Sequence, residues 1–173
     1  MPFTFNSTPG DAEANSYSTV DDADTYFGGR YPNDKWTKLS TAGKQTVLAS
    51  ATRRLDAEMY NGRPTDTVQR LQFPREVVFD RNSYSYGSNE IPLNLKNATH
   101  EYAYFILSAD DRIMEEIELH DAAMMDGFKV GPLDYKFGKK AKMDQLPETV
   151  KNELVAIGYA VWLGGTQVTN MYR

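Results

Sequence analysis

The chain has 173 residues, enough for one domain and short for two, with 40% apolar and 25% charged side chains; that balance supports a packed core and argues against global disorder. Acidic residues outnumber basic ones 24 to 19, for a net charge of −5, which makes a poor general binder of nucleic acid, because phosphate affinity comes mainly from Lys and Arg. The absence of cysteine excludes a disulfide, a thiolate nucleophile and a cysteine-based zinc site.

Residues 1–16 carry Pro, Gly, Ser, Asn and Asp without periodicity and read as an extended arm. They lack the basic start and apolar run of a signal peptide, and no stretch nears the roughly 18 apolar residues that span a bilayer. A soluble protein made in a cytoplasm is therefore expected. Ser18 and Thr19 offer N-cap oxygens, Asp21, Asp22 and Asp24 favour the positive end of a helix dipole, and Gly28-Gly29 stops a short first helix. Ser40 or Thr41 caps a second, with Leu48, Ala51, Leu55 and Met59 on one apolar face and Asn61-Gly62 at its end. Residues 60–92 form a long loop, and loops of that length are usually functional or partner-bound. Its tip, Ser83 to Ser88, reads as exposed and mobile.

Pro92 suits an early helical position. Leu95, Ala98, Tyr102, Phe105 or Ile106, Ala109, Ile113 and Ile117 then predict the longest helix, residues 93–119, with a potential break at Ser108 to Asp111. Near-alternation from Phe128 to Phe137 around Gly131-Pro132 predicts a β-hairpin. Pro147-Glu148 opens a last helix with Val150, Leu154, Ile157 and Val161 on one face, stopped by Gly164-Gly165. Residues 164–173 form a short polar tail. The expected fold is mainly α: a single domain, a small bundle of about four helices, with the hairpin between the third and fourth and extended terminal arms.

Catalytic chemistry is hard to find. His100-Glu101 sits mid-helix and His120-Asp121 at a helix end, and neither pair has a third metal ligand at helical spacing. Both histidines read as surface or interface residues. Gly43-Lys44-Gln45 is not a phosphate loop. The acidic clusters Asp21/Asp22/Asp24 and Glu115/Glu116/Glu118 read as a helix start and a solvated helix face. No enzyme, cofactor or metal is expected. The 11 tyrosines suit protein interfaces, and with arginine they also suit stacking of single-stranded bases.

Several segments occur in a familiar order. Asn15 to Phe27 is followed by Trp36, then Ala51-Thr52-Arg53-Arg54-Leu55-Asp56, Gly62-Arg63 and Gln69-Arg70-Leu71-Gln72-Phe73-Pro74-Arg75. Ile91-Pro92, Val130-Gly131-Pro132-Leu133-Asp134-Tyr135 and Leu146-Pro147 complete it. This series, over residues 15–155, resembles a family of tailed-bacteriophage head–tail connector (adaptor) proteins. It departs from the family where Phe73 replaces the usual Trp, where Tyr60 alone remains of an aromatic cluster, and where the 60–92 loop is enlarged.

The resemblance implies a structural virion protein of the head–tail junction. It would form a homo-oligomeric ring, commonly twelvefold, beneath the portal, extend the DNA channel and offer a docking surface for a tail or nozzle protein. Packaged double-stranded DNA would pass through without sequence-specific binding, and a negative lumen would repel it from the wall. The tail would dock on the portal through Val168, Met171, Tyr172 and Arg173, with Trp162 at its root. Arg75, Arg81, Tyr84 and Tyr86 would face neighbouring subunits or the tail. Neighbours would also hold the arms and the 60–92 loop, which are too polar to fold alone. Members of this family often carry the label "DnaT-like single-stranded-DNA-binding", which supplies the alternative: a replication accessory that stacks bases on Tyr84 and Tyr86 and holds phosphates with Arg70, Arg75 and Arg81.

Overall fold

A computed structural model describes residues 3–80, 85–108 and 146–157, and the backbone of 127–130, 133–136, 161–163 and 166–168. Among the described residues the fold is mainly helical. Helix α1 (Val20–Gly28) starts where Thr19 Oγ1 accepts the Asp22 N–H at 3.0 Å. Helix α3 (Thr41–Asp56) starts where Ser40 Oγ accepts the Gly43 N–H at 3.2 Å. Each oxygen satisfies one of the orphan donors of a first turn. Between them lies a four-residue helix, α2 (Asp34–Thr37), which periodicity did not anticipate. Helix α4 (Leu93–Ser108) begins on the Pro92 carbonyl, and α5 (Glu148–Val155) on that of Pro147.

The chain divides into two compact units. Residues 1–107 with 147–173 form the larger, and 108–146 the smaller. In the larger, the core joins Ala23 and Phe27 of α1, Trp36 of α2, Val47, Leu48 and Ala51 of α3, and Ala103 and Tyr104 of α4. Trp36 stacks on Phe27 at 4.5 Å between ring centroids, and its indole N–H reaches Asp24 Oδ1 at 2.7 Å. Val150, Leu154 and Ile157 are buried as their spacing predicts. Met59 is 50% exposed, because α3 ends at Asp56 and the apolar face ends with it.

Strands β3 (Gly127–Val130) and β4 (Leu133–Lys136) form the expected antiparallel hairpin within the smaller unit. The last predicted helix needs correction: α5 stops at Val155, and β5 (Val161–Leu163) pairs antiparallel with β6 (Thr166–Val168). Leu163 faces Thr166, so only two residues separate the strands, and Gly-Gly in that place is hairpin chemistry as much as a helix stop. Part of the expected polar tail is thus a strand. Residues 109–119 of the expected third helix lie outside the described residues, as does His120.

The N-terminal arm is not extended. Asn6 O accepts the N–H groups of Asn15 and Ser16, and Asn15 Oδ1 accepts that of Asn6, closing residues 6–16 into a folded loop. The described residues of the 60–92 loop, 60–80 and 85–92, are also folded on their own chain. Strand β1 (Arg63–Pro64) pairs with β2 (Arg75–Glu76), and Phe79 bridges Ser85.

Candidate nucleic-acid interface

The 60–80 loop is anchored by an aromatic and polar cluster at the end of α3. Tyr60 and Tyr17 both meet the Phe73 ring edge-on, with centroids at 5.0 and 6.1 Å. Tyr60 Oη donates to Leu55 O at 2.8 Å. Asp56, a negative charge at the unfavourable end of α3, accepts hydrogen bonds from Tyr17 Oη and the Gln72 N–H. Burial first, and then the neighbouring Asp56 carboxylate, push the Tyr17 hydroxyl well above the ordinary tyrosine range.

Arg75 closes the loop and does not face a ligand. It is 7% exposed. Nε donates to Asn61 O, Nη1 to Gln72 O and Oε1, and Nη2 to Tyr60 O and Gly62 O. A guanidinium has five N–H donors, and all five are used. The expectation that Arg75 meets phosphate or a neighbouring subunit is therefore corrected. Arg75 draws residues 60–62 and 72 around one buried cation, and burial pulls its pKa down. The expectation that neighbours must hold this loop is met instead from within the chain.

What the folded loop presents outward differs from the predicted set. Arg70 is exposed and makes no ion pair among the described residues, while its N–H bonds Asp11 O at 3.3 Å. Arg63 is exposed and pairs with Glu76 at 2.8 Å. Tyr86 is partly buried, its N–H on Val78 O. Phe79, which bridges Ser85, is 50% exposed, an aromatic that sequence reasoning passed over. The apolar run Val77-Val78-Phe79 was the available signal, since Val78 is buried between two exposed neighbours. Arg81 and Tyr84 lie outside the described residues, as do Met171, Tyr172 and Arg173. Trp162 and Val168 fall on β5 and β6, opposite Gln167 and Val161.

A second polar centre joins α1 to α4. His100, expected at the surface or an interface, is 2% exposed, and its Nε2 lies 2.7 Å from Ser18 Oγ. Its Nδ1 has no hydrogen-bond partner. Hydroxyl and imidazole form a close pair, both buried, and among the described residues no third group hydrogen-bonds the ring. Beside it, Glu101 accepts from Arg30 Nε at 2.7 Å and Nη2 at 3.0 Å, and from Tyr26 Oη at 2.6 Å. An open cleft of about 460 Å³ lies nearby, walled by Thr19, Asp22, Asn89, Glu90, Ile91, Leu93 and Lys96. Lys96 reaches Asp22 there at 2.9 Å and, against the upward pull of burial, holds its carboxyl below the usual range.

Burial, with a smaller push from Lys96, lowers the His100 pKa to about 4, against the pull of Asp22 and Glu101 toward the charged form. The unfolded chain, near 6.5, binds this proton first, so stability falls as pH drops from 6.5 toward 4. The loss approaches about 3 kcal/mol at the acid end of that window. The depressed carboxyls of Asp22, Asp24 and Glu101 act in the same direction only below the ordinary carboxylate range. Denaturant midpoints measured from pH 7.5 to 4.5 should fall for the native chain and stay much flatter for His100→Gln. Equal slopes would reassign the effect.

Among the described residues no three metal-ligating side chains converge, and no helix is long and apolar enough to cross a membrane. Over residues 1–169 the chain matches the family described as "Putative DnaT-like ssDNA binding protein". No curated protein and no solved structure matches it. The match corrects the expectation of a head–tail connector: it points to a DnaT-like, single-stranded-DNA-binding family and not to a structural protein of the virion.

Proposed function

The chain belongs to this DnaT-like family, and on that premise we propose that it binds single-stranded DNA as an accessory to replication. The family match across residues 1–169 is the observation that carries the reading. The chain there supports it with an exposed Arg70 and a half-exposed Phe79, a cation and an aromatic of the kinds that hold unpaired bases. Within residues 60–92 the cations Arg63, Arg70, Arg75 and Arg81 are matched by Asp66, Glu76, Asp80 and Glu90. Arg75 is fully used inside the fold and Arg63 is paired. Stacking therefore contributes more than charge on this surface, and the salt dependence is shallow, since each neutralised phosphate adds about 0.7 to the slope for a single strand.

Fluorescence anisotropy with a labelled oligo-dT strand, titrated at about 50 mM salt, tests the reading. Micromolar or tighter binding, with little affinity for a duplex of equal length, is the expected result. No binding under those conditions eliminates it.

A further inference from the structure

The turn between α1 and α2 is clamped to the core from both sides. Arg30 spans it: Nε and Nη2 hold Glu101 of α4, Nη1 donates to Pro32 O at 2.7 Å, and the guanidinium lies 3.9 Å over the Tyr104 ring. Asn33 Nδ2 donates to Phe27 O at 2.8 Å, and Asn33 O accepts the N–H groups of Trp36 and Thr37. Between these anchors Tyr31 is 96% exposed. A large aromatic ring thus stands in solvent on a backbone that its neighbours hold in place.

We propose that Tyr31 is a base-stacking residue for single-stranded DNA, with Lys35 and Lys38 of α2 as its phosphate contacts; the proposal rests on the reading above. Three observations favour this occupant. The clamped turn has already lost its backbone freedom, and tyrosine adds only two side-chain torsions, so little further ordering opposes binding. Arg30 is neutralised by Glu101, and residues 34–38 carry Lys35 and Lys38 against Asp34 alone, a net positive charge beside the ring in a chain of net charge −5. Lys38 pairs with Asp34 only at 3.4 Å between exposed groups, a contact weak enough to yield to a phosphate. An unpaired base has a free face for the ring, and a stacked duplex does not.

The test compares oligo-dT binding of the native chain, Tyr31→Ala, Tyr31→Phe and the double variant Lys35→Ala/Lys38→Ala, by anisotropy across a salt series. Loss of one stacked base weakens binding by about 5- to 150-fold in Tyr31→Ala. Tyr31→Phe, which keeps the ring, recovers what Tyr31→Ala loses. The double variant lowers the salt slope by about 1.4, two phosphates' worth. Thermal midpoints check that each variant folds. Native binding with Tyr31→Ala unchanged overturns the assignment of Tyr31 and leaves the single-stranded-DNA reading standing. Absence of binding by the native chain overturns both.

Discussion

Arg75→Ala should lower the free energy of unfolding by about 2–4 kcal/mol, because it strips the partners from a buried oxygen of Tyr60 and part-buried oxygens of Asn61, Gly62 and Gln72 at once. A buried acceptor left unsatisfied costs about 1–3 kcal/mol, a cost that falls in full on the Tyr60 carbonyl and in part on the other three. Arg75→Lys should recover only part of the loss. An ammonium has three donors at one point, whereas these acceptors surround a planar fork. Guanidinium titrations of the three proteins give the ranking. Hydrogen exchange should localise the change in Arg75→Ala to residues 57–80, with α1 and α4 still protected. A midpoint unchanged in Arg75→Ala would mean that Tyr60, Phe73 and Asp56 hold the loop without the cation.

The contrast between Arg75 and α1 shows where sequence reasoning succeeds. Thr19, Asp21, Asp22 and Gly29 act on backbone groups within four residues of themselves, so cap and dipole rules place that helix directly. The 127–136 hairpin was legible for the same reason, its alternation broken by Gly131-Pro132. Arg75 reads as a surface cation because its cage is assembled from residues 60–62, 13 to 15 positions away. His100 reads as a surface histidine because the hydroxyl that receives it lies 82 positions earlier. Val161 falls on the 3.6-residue rhythm of Val150, Leu154 and Ile157, so periodicity extends a helix across what is strand β5. The motif Gln69 to Arg75, one piece of the family resemblance, proves to be loop architecture. Gln69 Nε2 donates to Leu71 O and Pro74 O, and Phe73, Pro74 and Arg75 are buried. Residues that keep a loop folded say little about what the loop touches. Arg70 was legible as a candidate cation, but the exposed Phe79 and Tyr31 follow no local rule, and burial had to be known before they stood out.

Gly62→Ala should be at least as damaging as loss of Arg75, at about 3 kcal/mol or more, for two reasons that add. Gly62 has φ +76°, a left-handed conformation that costs an L-residue roughly 1–2 kcal/mol. A Cβ built there would also lie 2.1 Å from Glu76 O and 2.9 Å from Val78 Cγ2. The first contact is with backbone, so no rotamer change relieves it. The β1–β2 pair must part at Arg63–Glu76, and the Gly62 carbonyl must leave Arg75. The two sites therefore share one structure, and their losses should not sum. In the double variant Gly62→Ala/Arg75→Ala, the second substitution should cost well under its effect alone. Gly28→Ala is the control: it ends α1, and its added Cβ meets nothing within 4 Å. There alanine should stabilise by about 0.5–1 kcal/mol through the unfolded chain and better helix propensity. Full additivity of Gly62→Ala and Arg75→Ala in a denaturant-based double-mutant cycle would separate the turn from the arginine cage and overturn the account of the loop as one cooperative unit.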